Sequence, residues 1–116
     1  MHRYKDLQFW KKSRQFSIDI YKLTQGFPKS EIYGITSQMR RSSISIPSNI
    51  AEGSFRPSNK DFSRFLDIAT GSAYELDTQL SIAHELNYVD IESFEILNSQ
   101  LTSIVQMMSK FKTRLK

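Results

Sequence analysis

The sequence predicts an all-α fold, an antiparallel up-down-up-down four-helix bundle forming a single domain over residues 1–116. Three observations predict it. Apolar residues recur at alternating steps of three and four in four successive segments. Breaks containing Gly, Pro or Asn separate the segments. Each segment is about 20–28 residues, roughly 30–40 Å as a helix, so short links force neighbours in sequence to run antiparallel. At 116 residues and 39% hydrophobic content, the chain can bury a core without covalent staples.

The first segment runs from Tyr4 to Gln25. Phe9, Phe16 and Leu23 fall seven apart, with Ser13, Ile20 and Phe27 four residues after each. Lys11, Lys12, Arg14 and Lys22 take the remaining positions. Gly26-Phe27-Pro28 closes it, with Gly26 expected as a left-handed cap and Phe27 biased away from helix by Pro28.

The second segment is expected to start just past Pro28, with Ser30 or a neighbour as cap and Glu31 in the first turn. Ile32, Ile35, Met39, Ser42, Ile46 and Asn49 or Ile50 carry its stripe to Gly53, read as the C-terminal stop. Pro47 lies inside, deletes one backbone donor and crowds the carbonyl of Ser43. Periodicity survives on both sides of it, which predicts one kinked helix rather than two. Ser42, Ser43, Ser45 and Ser48 contribute little apolar surface and require a tertiary reason.

Ser58 with Asp61 three residues on reads as a capping box for the third segment. Phe62, Leu66, Ala69, Ala73, Leu76, Leu80, Ala83 and Asn87 form its seam without a miss. A second flank, Phe65, Ile68, Ser72, Gln79, Ile82 and Leu86, predicts that two faces are covered. Gly71 mid-helix costs roughly 1 kcal/mol relative to Ala and implies close approach of a neighbouring backbone. Asn87 marks the next break, being tolerant of the left-handed conformation. Asp90 caps the fourth segment, whose stripe is Phe94, Leu97, Leu101, Ile104, Met108, Phe111 and Leu115. Lys110, Lys112, Arg114 and Lys116 crowd its end, where cations suit the helix dipole.

The absence of cysteine excludes a disulfide framework, a thiolate metal site and a thiol nucleophile. His2 is placed in a frayed terminus, and His84 lacks the Glu-x-x-His context of a bundle metal site, so it reads as a solvated or interfacial histidine. No phosphate-loop glycine motif and no nucleophile elbow occurs. Glu52, Glu75 and Asp77 read as ion-pair partners. No enzyme activity, cofactor or metal is expected. No apolar run approaches the ~18 residues of a membrane span, and the N-terminus lacks the apolar core of a secretory signal. A cytoplasmic protein without a membrane partner is the expectation.

Residues 1–30 carry seven Lys/Arg against two acids, whereas residues 65–90 carry five acids and no Lys or Arg. The asymmetry fits complementary faces within or between subunits, or a basic nucleic-acid surface. Arg40, Arg41, Arg56, Lys60 and Arg64 gather in sequence around one helix–helix corner. Arg56, Lys60 and Arg64 are candidate phosphate contacts. Arg40 and Arg41 are candidate structural arginines, paired with Glu52 or Glu75, since the guanidinium fork suits carboxylate and phosphate alike. No aromatic stacking platform is apparent beside these cations.

The stretch FPKSEIYGITSQMRRSSISIPSNIAEG (Phe27–Gly53), followed by Arg56, Ser58, Phe62, Arg64, Phe65, Leu66, Ile68, Ala69, Gly71, Ser72, Glu75 and Leu76, closely resembles the 23S ribosomal RNA intervening-sequence protein family. The likeness runs from residue 5 to about residue 90, with the last helix matched by pattern alone. It implies an antiparallel four-helix bundle assembled as a ring-like homopentamer, and kinship with the basic pentameric accessory protein of diversity-generating retroelements, which partners a reverse transcriptase and nucleic acid. The family name records where some members are encoded, inside insertions in ribosomal RNA genes. Pro47, Asn49, Glu52, Gly53, Gly71 and Glu75 then stand with Arg40 and Arg41 as candidate structural or assembly residues. RNA or an RNA-containing complex is the candidate partner.

Overall fold

The computed structural model describes residues 2–115. A 3-10 turn (Tyr4–Asp6) precedes α1 (Gln8–Thr24), a second 3-10 turn (Lys29–Glu31) precedes α2 (Ile35–Phe55), and α3 (Asn59–Glu85) and α4 (Ile91–Thr113) complete the chain. Each helix packs on its neighbour in sequence, and α4 closes the square against α1. The side chains that meet fix the directions. Thr24 meets Arg40 while Ser17 meets Ser43, and Ser45 meets Ser72 while Gly53 meets Phe65. His84 meets Phe94 while Phe62 meets Phe111. In every pair one index rises as the other falls, so the helices alternate in direction. The bundle is 44 × 24 × 20 Å.

The core follows the heptad stripes. Phe16, Ile20, Met39, Ile46, Ile50, Phe62, Leu66, Leu76, Leu80, Ile104 and Met108 are all buried. Both side-chain caps read from sequence form: Ser58 accepts from the Asp61 amide at 3.1 Å, and Asp90 from the Ser93 amide at 2.7 Å. The Ser93 amide also holds the Asp90 carboxyl below its ordinary pKa. Asn87 takes φ 66°, and the amide of Tyr88 reaches back to the Ala83 carbonyl at 2.9 Å to finish α3.

Pro47 sits inside one continuous helix. Its missing N–H leaves the Ser43 carbonyl without its helical donor. The Ser17 hydroxyl of α1 fills that place, donating to the Ser43 oxygen at 2.7 Å in a buried position. Of Ser42, Ser43, Ser45 and Ser48, two also make side-chain hydrogen bonds. The Ser43 hydroxyl returns to the Arg40 carbonyl, and Ser45 shares a 2.8 Å hydrogen bond with Ser72 across the α2–α3 seam. Asn49 donates to both the carbonyl and the hydroxyl of Ser45.

Several expectations are corrected. No glycine among the described residues has positive φ, so Gly26 is not a left-handed cap; α1 ends in tight bonds from Gly26 to Leu23 and from Phe27 to Thr24. The second helix does not begin at Ser30. Residues 29–31 close on Pro28 as a separate 3-10 turn, and α2 starts only after Gly34. Tyr88 explains the capture of Glu31, donating its hydroxyl to that carboxylate at 2.9 Å, which pushes the phenol pKa up. Ile32 consequently leaves the core stripe and is 47% exposed. Gly53 does not stop α2, which continues to Phe55. It is a contact glycine: a Cβ there would lie 2.6 Å from the Phe65 Cβ and 2.9 Å from Phe62. Gly71 has no atom within 4 Å of its Cβ position and faces open space, so no backbone of this chain approaches it. On the second flank of α3, Phe65 and Ser72 are covered by α2, while Ile68, Ile82 and Leu86 remain exposed. His2 is packed rather than frayed, its amide bonded to the Ser54 carbonyl and its ring 5.2 Å from Phe62.

Two stability measurements check this packing. Gly53→Ala is expected to lower unfolding free energy by about 1–3 kcal/mol despite alanine's better helix propensity, because Phe62 and Phe65 must move. Equal denaturant midpoints for the two proteins would overturn that. Ser17→Ala is expected to cost about 1–3 kcal/mol with Pro47 present, since a buried carbonyl is orphaned. In a Pro47→Ala background, where the helix supplies its own donor, the same change is expected to cost under about 1 kcal/mol. A double-mutant cycle with no coupling would reject the substitution of a side-chain donor for the lost backbone one.

Candidate nucleic-acid interface

The helix directions bring four chain regions to one end of the bundle: the start of α1, the end of α2, the start of α3 and the end of α4. Divided at the level of the Ser45–Ser72 contact, the half containing residues 2–16, 45–72 and 102–115 carries eleven Lys/Arg and four Asp/Glu. The opposite half carries four Lys/Arg and eight Asp/Glu. Sequence asymmetry between segments has become polarity along the 44 Å axis.

At the basic pole, the three predicted contacts sit together at the α2–α3 corner. Arg56 follows the last turn of α2, and Lys60 and Arg64 occupy the first turns of α3. Their guises differ. Arg56 pairs with Glu52 at 2.9 Å and lies 4.8 Å over the Phe65 ring. Both partners are more than a third exposed, so the pair is solvent-screened and contributes little stability. Arg64 is exposed and reaches the same ring at 5.8 Å. Lys60 and Arg64 have no carboxylate within 4 Å among the described residues. An open groove of about 580 Å³ runs beside them, lined also by Asp61 and Asp67.

The structure adds residues that sequence reasoning assigned only to the helix dipole. Lys110, Lys112 and Arg114 end α4 beside the start of α3, and Lys112 pairs with Asp67. Lys110 and Arg114 have no such partner among the described residues. Phe55, adjacent to Arg56, is 71% exposed, so an aromatic does stand at this corner. Exposure at the end of a helix is invisible to a heptad count, which is why it was missed.

The predicted pairing of Arg40 and Arg41 with Glu52 or Glu75 does not form. Arg40 donates from Nε to the Thr24 hydroxyl at 2.8 Å and lies over Tyr21 at 4.8 Å. Arg41 and Glu75 are exposed on the outer face. Asn49 and Pro47 belong to the interior seams described above. His84 stacks on Phe94 with centroids 4.7 Å apart and bonds the Val89 carbonyl through Nδ1, an interfacial position. Among the described residues, no group of three or more His, Asp or Glu is placed to hold a metal. No helix among the described residues is long and apolar enough to cross a membrane.

Residues 5–110 match the family model described as 23S rRNA-intervening sequence protein. The chain belongs to that family. The solved structure of a protein of unknown function from the S23 ribosomal protein family of Bacteroides thetaiotaomicron superposes on this family member with a TM-score of 0.81 at 27% identity, covering 90% of this chain and 97% of that one. The four-helix bundle is therefore shared over nearly the whole length of both. No match is found among curated proteins.

Proposed function

We propose that this 23S rRNA-intervening sequence protein is a non-enzymatic homo-oligomer, a pentamer, that binds RNA or an RNA-containing complex through its basic pole. The observation that carries this is the gathering of eleven cations against four acids at one end, most of them free of carboxylate partners. Phosphate-directed binding of this kind is dominated by charge and falls with salt. Copies held in a ring multiply a weak site into avidity. Phe55 supplies a face on which an unstacked base can rest beside Arg56.

A second reading, an interaction oligomer with no nucleic-acid affinity, is favoured by a different observation. Ile44, Ile68, Tyr74 and Ile82 are 44–62% exposed on α2 and α3, and the engagement of Arg56 and Lys112 by acids removes two cations from the pole.

Filter binding of a structured RNA at two salt concentrations separates the two. Replacing Lys60 and Arg64 with Ala is expected to weaken binding and to reduce the log–log salt slope by about 2, without changing subunit number. Absence of wild-type binding at low salt would put the assembly-only reading in its place. Light scattering that returns a stable 13.5 kDa monomer at micromolar concentration would remove the oligomer from both.

A further inference from the structure

At the acidic pole, the end of α1, the link and the start of α2 enclose a groove of about 320 Å³. Three of its lining residues are donors without an anionic partner, Thr36 and Arg40 on α2 and Lys29 on the link. Arg40 is partly buried and is held by neutral groups alone: Thr24 Oγ1 at 2.8 Å, the Tyr21 carbonyl at 3.4 Å and the Tyr21 ring. No carboxylate lies within 4 Å of it among the described residues. Thr36, one turn before Arg40 on the same face of α2, is 2% exposed, and its Oγ1 has no hydrogen-bond partner among the described residues. Lys29, exposed on the link, lines the same groove and is likewise unpaired there.

Two of these, Thr36 and Arg40, are costly as they stand. A buried hydroxyl without a partner and a partly desolvated guanidinium without a counter-ion both lose free energy that a ligand acceptor would restore. The surroundings sharpen the point. Four cations serve the whole acidic half, Lys22, Lys29, Arg40 and Arg41, and all lie on α1, the link and α2. The nearest acid in sequence, Glu31, is turned away to accept from Tyr88 and does not line the groove.

We propose that this groove binds a phosphate group, carried by a small phosphate monoester or present as the free ion. A guanidinium fork and a hydroxyl on α2 and an ammonium on the link, all lining one groove, suit the several lone pairs of a tetrahedral oxyanion. The space is at the lower end of small-molecule sites, enough for a phosphate with a compact substituent. Thr36 enters through rotation about χ1, since a helical threonine has two accessible rotamers. The site lies at the opposite end from Lys60 and Arg64, and its occupancy is independent of the RNA reading.

The test uses the full chain, titrated calorimetrically and by backbone-amide NMR with inorganic phosphate and, separately, adenosine monophosphate. Saturable binding is expected, with shifts centred on residues 24–40. Tighter binding of the nucleotide identifies a phosphate monoester as the ligand; equal affinities identify the free ion. Thr36→Val removes the orphan hydroxyl at constant shape, so it is expected to melt no lower than wild type while losing about tenfold in phosphate affinity. Lys29→Gln, on the surface, provides a second variant that folds regardless of Thr36 and is expected to lose affinity in the same direction. Failure of both ligands to saturate, wild-type affinity in both variants, or shifts centred on the basic pole instead would each overturn the proposal. Salt-dependent RNA binding by Thr36→Val separates this outcome from the one at Lys60 and Arg64.

Discussion

A single carbonyl organises the fold. Pro47 withholds the donor that Ser43 needs in the middle of α2, and the unmet oxygen must be satisfied or the helix must open to water. Ser17 satisfies it from α1. The consequence is positional, because a hydroxyl reaches a buried carbonyl only if α1 and α2 sit close and in one register. Serine is what allows that approach: Ser13, Ser17, Ser42 and Ser43 are all buried, and none is bulky enough to hold the helices apart. On the other side of α2, the Ser45–Ser72 bond and the contact of Gly53 with Phe65 fix α3 in the same manner. A polar, small-residue helix thus becomes the centre of the bundle, flanked by helices whose larger apolar residues fill the remaining volume.

Features governed by neighbouring residues were legible. The caps at Ser58 and Asp90, the left-handed Asn87 and the α3 seam from Phe62 to Ala83 stand where the sequence puts them, although Asn87, read also as the last seam residue, is exposed beyond the helix end. Features decided across the chain were not. Ser30 and Glu31 satisfy every local rule for a helix start, yet Tyr88, 57 residues away, captures the Glu31 carboxylate and the segment closes as a short turn. Gly53 looks like a stop because glycine often is one; its role is set by Phe62 and Phe65, which sequence spacing does not connect to it. Arg40 was assigned to a carboxylate on charge alone, whereas topology offers it a hydroxyl and an aromatic face. The basic pole lies between these cases. Its α2–α3 corner is contiguous in sequence, but its enlargement by the end of α4 exists only once the helices alternate in direction.

That alternation converts composition into a field. Had the helices been arranged in parallel, the basic start of the chain and its basic end would have stood at opposite poles. Antiparallel packing puts them together and leaves the acid-rich end of α3 and start of α4 at the other pole. Ion pairs do little to cancel the basic end, because Arg3–Asp6, Arg56–Glu52 and the α3–α4 pair Lys112–Asp67 are all exposed and screened. Like charges gathered at one end repel one another, and an anionic partner relieves that repulsion while releasing the counter-ions that would otherwise shield it.

The outer face of α2 and α3 bears on the proposed contact between copies. Singly exposed isoleucines are ordinary on protein surfaces. Gly71 is not ordinary, because in a helix interior it costs roughly 1 kcal/mol relative to alanine and here it permits no close contact within the chain. Ile68, one turn before it, and Glu75, one turn after, share its exposed stripe. A glycine gains from its missing side chain only where another surface comes close, and no other helix of this bundle covers that stripe. The cost at Gly71 therefore supports the proposed contact between copies along α3, an arrangement that would leave the two poles open at the ends of the bundle.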